Sequence, residues 1–172
     1  MRASTMMTAV LVLLTVGVSS ASHAAERFVY GSYVPRSHTF HTAGLEPYFE
    51  AVSKDSDGQM RFRLLSDGTV VDASNTLTGI RNGTVDMGLI VDVYIPSTLP
   101  TEATLNELAL FADNTTAAAA AMTEMVLLHC PQCQTEWKAA GVTPIAFYST
   151  SPYYLMCKTP ISDLASLKGK RI

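Results

Sequence analysis

The sequence predicts an α/β fold with a mixed, mostly parallel sheet. Two observations lead there. Strand-like and helix-like stretches alternate from Arg27 to Val91, and turn-forming residues separate each from the next. A β-α-β-α-β rhythm of this kind implies parallel strands joined by right-handed crossovers.

The elements follow in order. Arg27 to Val34 alternates and is rich in aromatics (Phe28, Tyr30, Tyr33), as a first strand would be. Pro35 to Thr42 is a loop containing Arg36, His38 and His41. Leu45, Tyr48, Phe49 and Val52 then share one helical face, with Pro47 tolerable only in the first turn. Asp57-Gly58 breaks that helix. Met60 to Leu65 alternates apolar residues with Arg61 and Arg63 as a second strand. Ser66-Asp67-Gly68 turns the chain, and Asp72 is placed to cap the next helix. Leu77 and Ile80 lie on its buried face, Asn82-Gly83 suits its end, and Val85 to Val91 reads as a short apolar strand. Gly88 in that strand leaves room for a close neighbour.

The second part of the chain is more helical. Leu105 to Phe111 is an apolar run, and Thr115 to Ala140 has helical spacing, with Asp113 or Asn114 as cap. Met122, Met125, Val126 and His129 form one stripe; Cys133, Trp137 and Ala140 form another. Pro131 between them predicts a kink or a restart. Val142 to Tyr148 and Tyr153 to Cys157 read as strands.

The bulk properties narrow the function classes. The formal net charge is −3 and the basic residues are scattered, which argues against nucleic acid. Arg2, the apolar run Met6 to Val18 and the small residues Ser22 and Ala24 make residues 1–24 a signal peptide cut ahead of Ala25. Its apolar core is short for the ~30 Å of hydrocarbon in a bilayer. The protein is therefore expected outside the cytoplasm. No G-x-S-x-G, H-E-x-x-H or phosphate-binding loop occurs, and no cofactor is implied.

The block Leu77-Thr78-Gly79-Ile80-Arg81-Asn82-Gly83-Thr84-Val85-Asp86-Met87-Gly88, with the loop of Tyr94, Pro96 and Pro100 after it, resembles the solute-binding subunits of tripartite ATP-independent periplasmic (TRAP) transporters, the DctP family. Leu108-Ala109-Leu110-Phe111 stands where that family usually shows a Leu-Pro-Phe-like stretch, a modest departure. The resemblance implies a type II periplasmic-binding-protein-like fold, with residues 25–148 as domain I and 149–172 as the hinge crossing and start of domain II. It also implies a receptor, not an enzyme, that captures a small organic acid and delivers it to membrane permease subunits. Family members carry a D-L-K-G-x-K-x-R segment, here represented by Asp163 to Ile172, whose strand enters the second domain. By this resemblance the sequence is expected to be roughly the N-terminal half of a two-domain protein, and such a half alone is expected to aggregate through an unpaired sheet edge. The family's substrate-gripping Arg would fall one residue beyond Ile172. A second family Arg aligns near Tyr153, where a Tyr would donate one neutral hydrogen bond and point to a larger or more apolar carboxylate.

Ligands of open α/β sheets bind beyond the carboxyl ends of strands. That rule selects the loops at Tyr33 to His38, Ser66 to Gly68, Val91 to Tyr94 and Tyr148 to Tyr153, and Arg36, His38, Asp67, Asp92, Tyr94 and Tyr153 as ligand candidates. Asp86 and Asp92 flank one strand and read as acceptors of loop amides, not as a catalytic pair. Cys130-Pro131-Gln132-Cys133 carries the rival function, an exported thiol-disulfide oxidoreductase. An apolar helical stretch precedes the motif where a redox motif would follow a strand. A local disulfide across the kink, or two buried thiols, is therefore the favoured reading. Cys157 is the odd cysteine, left to pair elsewhere or to be buried. A periplasmic sensor domain is a third reading.

Overall fold

The computed structural model describes residues 24–108, 112–150, 154 and 156–170. Three strands, β1 (Glu26–Gly31), β2 (Met60–Leu65) and β3 (Met87–Gly88), form a sheet in the order β2-β1-β3, with both pairings parallel. The register sets Phe28 beside Phe62, and their rings stack at 5.6 Å. Helix α1 (Glu46–Asp55) covers this surface by laying Phe49 flat on Phe62, with ring centroids 4.5 Å apart, and edge-on to Tyr30 at 5.7 Å. Its apolar face is narrower than predicted: Phe49 is buried, but Tyr48 is half exposed. Pro47 sits in the first turn, where its missing N–H leaves no bond unmade.

A π turn over Phe40–Leu45 leads into α1. Its wider winding turns His41 inward, to complete burial. Helix α2 (Thr76–Arg81) starts later than Asp72 would place it. Asp72 accepts the amides of Ser74 and Asn75 and so closes a turn ahead of the helix instead of capping it.

The predicted strand over Val85 to Val91 contracts to Met87–Gly88. The Asp86 carboxylate takes the Val29 amide of β1 at 2.7 Å, a donor that a longer β3 would have used. Gly88 is required by close approach. A Cβ there would lie 2.5 Å from Thr76 Cγ2 and 3.1 Å from the Gly31 carbonyl oxygen. Gly88→Ala is expected to destabilise the protein by about 1–3 kcal/mol, the usual cost of overpacking against backbone, measured by urea unfolding.

Helices α3 (Pro100–Glu107), α4 (Thr115–Glu124) and α5 (Pro131–Ala140) build the second half. Asn114 caps α4 by accepting the Ala117 amide at 2.9 Å. A π turn over Met125–His129 ends that helix, and Pro131 starts α5 after a non-helical Cys130. Of the kink or restart expected at Pro131, the structure has the restart. The π turn divides the first predicted stripe: Val126 is buried, whereas Met125 and His129 face solvent. The second stripe, Cys133, Trp137 and Ala140, packs with Leu77, Leu99 and Val126 into one core cluster. Tyr30, Phe49 and Leu89 form the other, between sheet and α1.

Val142 to Tyr148 is not a strand. A strand needs a neighbour for its backbone groups, and here the Phe147 amide donates instead to the Thr123 hydroxyl of α4, at 3.0 Å. Tyr154, Met156 and Cys157 are likewise outside any strand, and Cys157 is exposed. Tyr153 and Ala109 to Phe111 lie outside the described residues. Among those described, no helix is long and apolar enough to cross a membrane.

Candidate functional site

Because the three strands run parallel, their carboxyl ends (Gly31, Leu65 and Gly88) lie along one edge of the sheet. The loops leaving β1 and β2 are stitched together there. The Ser32 amide donates to the Leu65 carbonyl at 2.9 Å, the Asp67 amide to Val34 at 3.0 Å, and the Gly68 amide to Ser32 at 3.2 Å. Asp67 and Gly68 both have positive φ, at 62° and 65°, the tight turn expected of Ser66-Asp67-Gly68.

The loop after β1 combines exposed and sealed groups. Arg36 is exposed, and its guanidinium donates to Glu46 at 2.7 Å. His38 accepts the Phe40 amide through Nδ1 at 3.1 Å, so in its neutral form the proton sits on Nε2. Ser32 and His41 are fully buried and joined at 2.9 Å between Oγ and Nε2. His41 Nδ1 has no hydrogen-bond partner among the described residues. An unpaired buried N–H costs about 1–3 kcal/mol, more than an unpaired lone pair, which favours the tautomer that donates from Nε2 to Ser32. His41 is thus a structural post under the loop.

An aromatic layer lies beside this post. Phe40 contacts Tyr148 with ring centroids 4.9 Å apart, linking the β1 loop to the segment that follows α5. Burial pushes the Tyr30 phenol above its ordinary range, and the neighbouring Tyr148 and Tyr33 push it further. Those three tyrosines therefore gather at the end of β1.

The loop after β3 is anchored from beneath. Asp92 is buried, accepting the Val93 amide at 2.9 Å and the Asn106 side-chain amide at 2.7 Å. Its pKa is raised by burial, against the pull of those two donors. Tyr94 beside it is mostly exposed. Of the candidates chosen from sequence, Arg36, His38, Asp67 and Tyr94 therefore present themselves on loops at the carboxyl edge, Asp92 points inward, and Tyr153 lies outside the described residues.

Three groups escaped the sequence reading. Glu102 of α3 is buried and accepts the indole N–H of Trp137 on α5. One residue earlier on each helix, Thr101 donates from its amide and hydroxyl to Glu136. The third is the Ser32–His41 pair. The two α3–α5 pairs have no local signal, because their partners lie 35 residues apart, and the Ser32–His41 pair depends on how the connection after β1 folds back. Cys130 and Cys133 form a disulfide with Cα atoms 5.2 Å apart. Both are buried in the Trp137 cluster, where no attacking thiolate could reach either sulfur. Among the described residues, no group of three His, Cys, Asp or Glu could hold a metal ion.

Residues 30–172 match the family model described as bacterial extracellular solute-binding protein, family 7 (DctP). The chain belongs to this family. The family is one of extracellular solute-binding proteins, and the oxidoreductase reading of the buried Cys130–Cys133 disulfide is set aside. Solved structures give the same fold. A TRAP periplasmic solute-binding protein from Desulfovibrio salexigens DSM2638 is similar with a TM-score of 0.59 and 24% identity, over 67% of this chain and 34% of that one. A marine metagenome TRAP solute-binding protein from an unidentified microbe, specific for aromatic acid ligands and solved with 3-hydroxybenzoate, gives 0.55 and 18%, over 67% and 35%. One from Rhodoferax ferrireducens T118, in complex with copurified benzoate, gives 0.55 and 13%, over 65% and 35%. This DctP-family chain thus spans about a third of the length of the solved proteins it resembles.

Proposed function

We propose that this chain supplies the first domain of the periplasmic receptor of a TRAP transporter, which captures an organic acid and hands it to membrane permease subunits. The observation that carries the reading is family membership across residues 30–172. It is supported by the loops that converge at the carboxyl edge of a parallel sheet, the usual site of ligands in such sheets. Residues 1–24 act as the cleaved leader, residues 25–148 as domain I, and residues 149–172 as the crossing toward a second domain. Arg36, His38, Asp67, Tyr94 and Tyr153 face the ligand. Asp92 shapes the Tyr94 loop from within. Capture works by closure of the two domains, which the ligand favours by binding the closed state more tightly.

Export and transport are tested together. The native gene product should be released by osmotic shock with Ala25 as its first residue. Cells lacking the gene should lose uptake of the acid that copurifies with it, and a copy without residues 1–24 should not restore that uptake. Restoration by the leaderless copy, or uptake unchanged in the deletion strain, overturns the proposal.

A further inference from the structure

We infer that the acid recognised by this chain carries an aromatic ring, seated against Phe40 and Tyr148 above the carboxyl end of β1. The inference rests on the receptor reading and narrows its ligand class.

Tyr30 and Phe49, both under a tenth exposed, anchor an aromatic layer in the core between the sheet and α1. Phe40 continues it half-buried toward the edge, packed on the same cluster as Tyr33. Tyr148 completes it at 42% exposure, tilted 36° to Phe40 with centroids 4.9 Å apart. Apolar ring surface therefore runs without a break from the core to the edge where ligands of this sheet type sit. Offset and edge-on ring contacts at ~4.5–7 Å are the arrangement such rings offer another aromatic group.

The charge of the edge loops points the same way. In the described loops after β1, β2 and β3, Arg36 is the one fixed cation, and Glu46 already holds it at 2.7 Å. The same loops carry Asp67, Asp72 and Asp92. Arg27 and Arg61 sit side by side near the opposite ends of β1 and β2. A dicarboxylate would bring a second negative charge to loops that already carry acidic side chains. A sugar acid would need a hydrogen-bond partner for each of its several hydroxyls, which ring faces do not supply. A ring with a single carboxylate suits both the surface and the charge.

The test is calorimetric titration of the native gene product with benzoate, 3-hydroxybenzoate, succinate and D-galacturonate. The two benzoates should bind at least about tenfold more tightly than the other acids. Tyr148→Ser should weaken benzoate by about two- to tenfold, the range for one aromatic contact, while Tyr148→Phe keeps the affinity. Tyr148 is a surface residue, so circular dichroism should be unchanged in both variants, whereas Phe40→Ala would disturb the core. Tighter binding of succinate or galacturonate overturns the aromatic inference and leaves the receptor reading standing. Unchanged benzoate affinity in Tyr148→Ser overturns the placement of the ring. If none of the four acids binds, the organic-acid reading falls and the inference with it.

Discussion

Glu102→Gln is expected to make the protein more stable above pH 8, by on the order of 3 kcal/mol, while changing little at pH 4. Burial raises the Glu102 carboxyl from 4.5 to about 8; the Trp137 N–H pulls against this, and the nearby Asp92 and Glu136 add to it. Between those two pH values the folded protein keeps a proton that the unfolded chain has released. Stability therefore falls as pH rises from about 4.5, and the loss is complete above about 8. Glutamine has nearly the shape of the protonated acid and still accepts the indole N–H, but it cannot ionise. Urea unfolding from pH 4 to pH 9, followed by the fluorescence of the single tryptophan, reads the difference. Parallel stability profiles for wild type and variant would show that Glu102 is not held protonated. The element at stake is the α3–α5 contact, where Glu102 to Trp137 and Thr101 to Glu136 bind neighbouring turns.

Trp137→Ala should cost about 3–5 kcal/mol at pH 7, the largest loss of any single truncation discussed. The ring is 4% exposed and fills the space between Leu77, Leu99, Val126 and the Cys130–Cys133 bridge, with an edge contact to Phe147 at 6.4 Å. Its removal leaves a cavity and takes from Glu102 the donor that favours its charged form. Trp137→Phe separates the two effects, since it keeps most of the volume and loses only the N–H. It should cost about 1–3 kcal/mol, more above pH 8 than at pH 5. In a Glu102→Leu background the same change should cost less, because the acceptor is gone. Equal costs in both backgrounds, by far-UV circular dichroism melts, would show that the two side chains are not coupled.

What the sequence made legible was local. The alternation in β2, a cap for α4 at Asn114, the Asp67-Gly68 turn and the restart at Pro131 each depend on a few adjacent residues, and each is in place, whereas β1 grades from exposed to buried along its length instead of alternating. The failures are positional or long-range. The π turns at Phe40–Leu45 and Met125–His129 widen the winding, so faces drawn at 3.6 residues per turn went out of register: Met125 faces out where the stripe put it in. Val142 to Tyr148 has the composition of a strand, but composition does not supply a neighbouring strand. For the site, the edge loops were legible from the parallel topology. That Asp92 faces inward to Asn106, that Arg36 is tied to Glu46, and that Phe40 meets Tyr148 depend on how loops are folded back on one another, and no spacing rule encodes that.

The central claim is that this chain belongs to a receptor that holds an organic acid. Native mass spectrometry of the gene product released from the periplasm by osmotic shock tests it most directly. The expected result is a mass excess that disappears on unfolding and is recovered as a small carboxylic acid. A protein that carries no acid as isolated, and whose thermal transition is unmoved by millimolar benzoate, succinate or galacturonate, would contradict the account.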